Sequence, residues 1–197
     1  MPARTVSHRQ PRRPSARERL LEAADELFYR EGVQSVGIDR VIEHAGVAKA
    51  SLYNVFGSKE ELVHAYLLER RAATTARVTA AVEQHDDPRE RILAVFDSQV
   101  AYVRKRGFRG CAFAGASAEA RPGGLVEEAT RDYRGWFRDL FTGLARQAGV
   151  PDPELLGRQL QLLYDGALSS ANLDHDLDAP QAARAAAAAL LCAAAAS

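Results

Sequence analysis

Residues 38–56 read IDRVIEHAGVAKASLYNVF, and five of them share one kind of chemistry. Lys49, Ala50, Ser51, Tyr53 and Asn54 are small, polar or cationic groups suited to the base edges and phosphates of a DNA groove. Two short helices joined by a tight turn must position them. Val41, Ile42 and Ala45 put apolar groups on one face of the first helix. Gly46 permits the positive φ or close packing that an abrupt reversal needs. Val47 fills the seam, and Leu52, Val55 and Phe56 give the second helix its buried stripe. A plain helical hairpin shares this pattern, so the flanking residues decide between the two.

An amphipathic helix precedes the motif, with Leu20, Leu21, Ala24, Leu27 and Phe28 at helical spacing, and a G-V-x-S run follows at Gly32 to Ser35. Ala45-Gly46-Val47, Leu52-Tyr53 and Phe56 come next, then S-K-E-E-L at Ser58 to Leu62. In this order and spacing the landmarks resemble the TetR family of bacterial transcription regulators over roughly residues 15–65. The resemblance implies an all-α chain: a three-helix DNA-binding head, then a larger helical domain for ligand binding and dimerisation. It divides the chain into a disordered basic arm (1–14), a helix-turn-helix head (15–58) and the body (59–197). Three residues depart from the family pattern. Gly37 replaces a common threonine, Ala48 replaces a serine before the recognition helix, and Val55 stands where histidine is common. The first two remove side-chain caps and the third a phosphate contact.

The formal net charge is zero, with 26 Lys and Arg against 26 Asp and Glu, but the charge is unevenly placed. Arg4, Arg9, Arg12, Arg13 and Arg17 fall within the first seventeen residues without an acid, among Pro2, Pro11 and Pro14. Such an arm is disordered when free and either follows a DNA groove or serves as a solubilising tail. No apolar core follows it as in a secretory signal, and no apolar run is long enough to span a bilayer, so the cytoplasm is the expected compartment.

Beyond Ser58 the pattern is helical. Ser58 and Glu61 form a capping box, opening a helix that runs to about residue 84. Breaks follow at Asp86-Asp87-Pro88, Gly107 to Gly110, Arg121-Pro122-Gly123-Gly124 and Gly149-Val150-Pro151. From about residue 152 to 173, apolar residues cover more than one helix face, and an alanine-rich helix follows Ala179-Pro180. By the resemblance these two helices form a four-helix bundle with a second subunit, through Leu156, Leu160, Leu163, Ala167 and Leu190. The alternative is that they merely close the core of a monomer.

Phe96, Tyr102, Phe113, Tyr133, Trp136, Phe137 and Tyr164 would meet in the body. Aromatic walls suit an apolar or aromatic small molecule, although aromatics at helical spacing also build ordinary cores. A run at Arg109-Gly110-Cys111, with Phe113 and then Glu119, resembles a segment of some TetR-like bodies and has no chemistry legible in sequence. Cys111 is either a thiolate lowered by Arg106 and Arg109 or a buried, inert thiol. Asp174, Asp176 and Asp178 around His175 either hold a cation or form a solvated loop. No spacing predicts a metal shell, a cofactor or a catalytic group.

The sequence therefore predicts a homodimeric regulator of double-stranded DNA, a repressor released from a palindromic operator by a small molecule. The helix over 48–56 enters the major groove. Lys49, Ser51 and Asn54 reach base edges, and Tyr53, Lys59 and Arg40 meet phosphates. A transcription activator or a DNA-binding protein without an inducer, and an all-helical enzyme, are the alternatives.

Overall fold

The computed structural model describes residues 14–195, and among them the chain is helical, without strands. The basic arm, apart from Pro14, lies outside the described residues. Helix α1 (Ala16–Glu31) opens on a full capping box: the Ser15 hydroxyl accepts from the Glu18 N–H, and the Ser15 N–H donates to the Glu18 carboxylate. Its buried stripe of Leu20, Leu21, Ala24, Leu27 and Phe28 faces α2 (Ile38–Ala45), α3 (Lys49–Phe56) and α4 (Lys59–Val82).

The turn between α2 and α3 depends on Gly46. Its φ of 60° and ψ of 42° lie in the left-handed region, where a Cβ is disfavoured. Arg19 reaches across from α1, and its Nη1 donates to the Gly46 carbonyl at 2.9 Å. That bond answers a helix end whose carbonyls would otherwise lack partners. Neither Gly37 nor Ala48 supplies a side-chain cap to the helix it precedes. In α3 Leu52 is buried and Phe56, one turn later, is half-buried under the guanidinium of Arg17. Val55 does not join this stripe and is 41% exposed. An eight-residue helix resting on a narrow face set by positions 52 and 56 turns position 55 aside.

Head and body share a continuous core. Phe28 of α1 meets Tyr66 of α4 edge to face at 5.7 Å. Arg70 of α4 holds Asp25 of α1 through two nitrogens, at 2.5 and 3.0 Å, and stacks 3.9 Å over the Tyr29 ring. At the start of α4 the Ser58 hydroxyl accepts from the Glu61 N–H, but the Glu61 side chain makes no return bond, so half of the expected capping box forms.

The body continues with α5 (Pro88–Val103), α6 (Ala112–Glu119), α7 (Leu125–Gln147), α8 (Pro153–Leu173) and α9 (Ala179–Ala195). Helix α5 sits centrally, against α4, α7, α8 and α9. Helix α8 has two apolar sides. One packs inward through Leu156, Leu160, Tyr164, Ala167, Leu168 and Ala171. The other faces out through Leu155, Leu162 (68% exposed) and Leu173 (72% exposed), with Gly166 and Ser169 between them. Positions 155, 162, 166, 169 and 173 follow one side of a helix, at seven-, four-, three- and four-residue steps.

Three of the expected interface residues are thereby corrected. Leu156, Leu160 and Ala167 are buried inside the subunit, and Leu163 and Leu190 are half-buried at the edge. The free apolar face is turned away from the three buried residues because α7 and α9 already cover the inward side of α8.

Candidate functional site

The side chains proposed for DNA contact fall into three groups. Lys49, Ala50, Tyr53 and Asn54 are exposed on α3 and Ser51 is half-buried, so these five share the outer side of one helix. Lys49 Nζ lies 2.8 Å from the Asp39 carboxylate of α2, which raises the lysine pKa and holds the ammonium in place while leaving it exposed. Arg40 instead clamps Glu31 through two nitrogens, tying α2 to the end of α1. Lys59 lies apart from α3, in a cleft between head and body with Gln34 and Arg121, where burial lowers its pKa against the opposing charge of Glu119.

Two of the folded head's five Lys and Arg, Arg40 and Lys49, already face acids. Besides those pairs, His44 meets Glu26 at 2.7 Å. Over residues 15–58 there are five Lys and Arg against seven Asp and Glu, whereas residues 1–13 carry four arginines and no acid. The excess of positive charge in this region of the chain therefore lies in residues 1–13 rather than in residues 15–58.

A second site lies in the body, where the seven aromatic candidates take different roles. Tyr102, Phe113, Tyr133 and Tyr164 line a small internal void of about 20 Å³, with Arg70, Arg77 and Cys111 among the other lining residues. That is room for about one water. Phe113 stacks on Tyr133 at 3.9 Å, closing one wall. Phe96 and Phe137 belong to solid core instead: Phe137 packs 4.3 Å from Tyr164, and Phe96 rests on Phe141. Trp136 is also corrected, since it faces an outer groove with Leu68 and Thr75 of α4. Residues 133, 136 and 137 share one broad side of α7, but Phe137 turns to Tyr164 of α8 while Trp136, at the edge of that side, turns to α4.

Burial sets the protonation of this site. It pushes the Tyr164 phenol up to about 12, with Arg77 opposing, and raises Tyr133 as well. Both phenols stay neutral and able to donate. Burial raises the Cys111 thiol too, so proximity in sequence to Arg106 and Arg109 does not make it a thiolate. The acidic loop after α8 is exposed; Asp178 pairs with Arg104, and among the described residues no cluster is placed to hold a metal ion.

The run 109–119, opaque in sequence, connects the two sites. Tyr29 of α1 accepts from the Arg109 N–H and donates to the Gly110 carbonyl, both at 2.9 Å. Gly110 has a φ of 80°, and a Cβ there would come within 2.9 Å of the Asn172 side chain. Cys111 precedes α6 and touches the void, Phe113 forms its wall, and Ala116 is buried. At the far end of α6 the Glu119 carboxylate accepts from the Gln34 N–H at 2.6 Å, in the loop before α2. One short segment therefore touches both the cavity and the helix-turn-helix. Gln34 also donates through its Nε2 to the Glu119 carbonyl at 3.3 Å, and it escaped notice in sequence because this partner lies 85 residues away.

Residues 20–66 match the family described as bacterial regulatory proteins, tetR family. A TetR-family transcriptional regulator from Streptomyces coelicolor is 39% identical, with 89% of this chain and 88% of that one aligned and a TM-score of 0.82. The transcriptional activator FasR of Mycolicibacterium smegmatis is 32% identical over 49% of this chain and 45% of its own length. The transcriptional repressor NemR of Escherichia coli is 31% identical over 52% and 53%. The chain spans about half the length of the curated relatives it matches.

The Lys49–Asp39 pair has a measurable consequence. If Lys49 exchanges Asp39 for a DNA phosphate, Lys49→Ala weakens binding and reduces the slope of log affinity against log salt by about one. Asp39→Asn then strengthens binding. Anisotropy titrations over a range of salt concentrations check both, and an unchanged slope in Lys49→Ala moves the lysine from phosphate to base edge.

Proposed function

The chain belongs to the TetR family of bacterial transcription regulators, and on that premise we propose that it is a homodimeric repressor, released from a palindromic operator by a small molecule. The observation that carries the reading is the outer side of α3. After the left-handed turn at Gly46 it presents Lys49, Ala50, Ser51, Tyr53 and Asn54 together on a helix anchored from behind by Leu52. The family is one of transcription regulators rather than enzymes. Its place of work would be the cytoplasm, where the chromosome lies, and among the described residues no helix is long and apolar enough to cross a membrane.

The second copy is proposed to cover the outward stripe of α8 together with the exposed side of α9, including Ala182, Ala185 and Ala189. Small residues on α9 allow two helix pairs to approach closely. The arginines of the arm add phosphate contacts that the acid-rich head lacks. A ligand entering the void moves Phe113 and hence α6, and Glu119 conveys that movement to the loop before α2. A coupling of roughly 1–3 kcal/mol, a 5- to 150-fold change in affinity, is enough for switching. Activation is the second reading, favoured by the similarity to FasR, and a reporter fused to the target promoter separates the two by the sign of its response.

Two experiments test this reading. Selection of bound sequences from a random DNA pool should return a motif with two-fold symmetry, because two equivalent recognition helices read it. An asymmetric motif would rule out the dimeric mode of binding. Leu162→Glu places a carboxylate on the exposed stripe, where it costs the isolated subunit little and a dry interface much. Sedimentation should show the variant as a folded monomer, and a dimer of undiminished strength would put the interface on another face.

A further inference from the structure

We propose that the body cavity takes a planar organic anion, an aromatic carboxylate in chemical class, whose carboxylate pairs with the guanidinium of Arg77. The inference rests on the sensor reading above and supplies its ligand class. Three arginines stand around this region. Arg70 is answered by Asp25, and Arg134 by Asp165 at 2.6 Å. Arg77 has no carboxylate within ion-pair distance among the described residues and leaves one positive charge unbalanced beside the void.

The bonds Arg77 does make are to neutral groups. Its Nη1 donates to the carbonyl and the hydroxyl of Ser98, each at 2.8 Å, and Nη2 makes a long 3.4 Å contact with the Tyr164 hydroxyl. A guanidinium has five N–H donors in one plane, so a fork remains for an acceptor from the cavity. The Tyr102 ring lies 4.7 Å from the guanidinium carbon and offsets part of the cost of an unpaired, half-buried cation. Tyr133 and Tyr164 add neutral phenols, and stacked Phe113 adds a flat wall. This set favours a flat apolar body ending in a planar anion, the geometry that a fork reads bidentately.

The void holds about one water, so the ligand must part its walls. A route is at hand, because a neighbouring cleft of about 260 Å³ shares Cys111 and Ala112 with the void and is bordered by Arg109. Arg109 is exposed, which puts a second positive charge at the mouth.

Calorimetry on the full chain tests the proposal with benzoate, cinnamate and 2-naphthoate, each against its uncharged amide of the same shape. At least one acid should bind with a Kd below about 1 mM and at least tenfold more tightly than its amide. Arg77→Gln should abolish that preference. The acid–amide comparison uses the unaltered protein, so it decides the matter even if the variant folds poorly. No binding by any acid, equal binding of an acid and its amide, or a preference that survives in folded Arg77→Gln would each overturn the proposal. Operator release is measured separately. Amides that bind and release DNA would leave the sensor reading intact and sink the anion, whereas acids that bind through Arg77 without releasing DNA would do the reverse.

Discussion

Tyr29 of the head holds the backbone of Arg109 and Gly110, and Glu119, at the other end of the same segment, holds the N–H of Gln34. Between these attachments lie Cys111 at the void and Phe113 in its wall. The segment must therefore satisfy the cavity and the DNA-binding head together, and much else follows from that demand. Gly110 has to be glycine, since a side chain there would meet Asn172 in a backbone conformation that L residues avoid. Arg70 of α4 pairs with Asp25 and stacks on Tyr29, which fixes the side chain of α1 that holds the segment. A hydrogen bond to a charged group contributes about 1.5–3 kcal/mol, less where water reaches it. The Glu119–Gln34 bond is exposed to water and so contributes less than that range.

Charge is organised by a separate logic. Acids on the head restrain two of its cations, Asp39 holding Lys49 and Glu31 holding Arg40, and Glu26 meets the His44 ring. Exposed pairs of this kind add little stability, so their main effect is on what the surface offers to a polyanion. A head with more acids than bases offers a polyanion little net attraction by itself. In the body the arrangement is the opposite, for there the unbalanced charge of Arg77 stands inside.

The parts of this design that depend on near neighbours were legible in the sequence. The reversal at Gly46, the absent caps at Gly37 and Ala48 and the exposed set on α3 follow from spacing over a few residues, and each recurs in the structure. Facing was harder to read. Helix α8 carries apolar residues on more than one side, and only the positions of α7 and α9 decide that Leu156, Leu160 and Ala167 turn inward while Leu162 turns out. Aromatic spacing likewise does not separate a cavity wall such as Phe113 from solid core such as Phe96, or from a groove residue such as Trp136. The run 109–119 was unreadable because its partners in α1 and the following loop lie 80 to 85 residues away, and all three contacts use a backbone atom on one side.

The central claim is that α6 communicates with the helix-turn-helix through Glu119, and native-state hydrogen exchange on Glu119→Ala tests it most directly. The claim predicts that the Gln34 amide and those of α2 and α3 exchange about tenfold faster than in the unaltered protein, the factor equivalent to about 1.4 kcal/mol, while α8 and α9 keep their protection. Exchange in the head that does not change on loss of the carboxylate would contradict it.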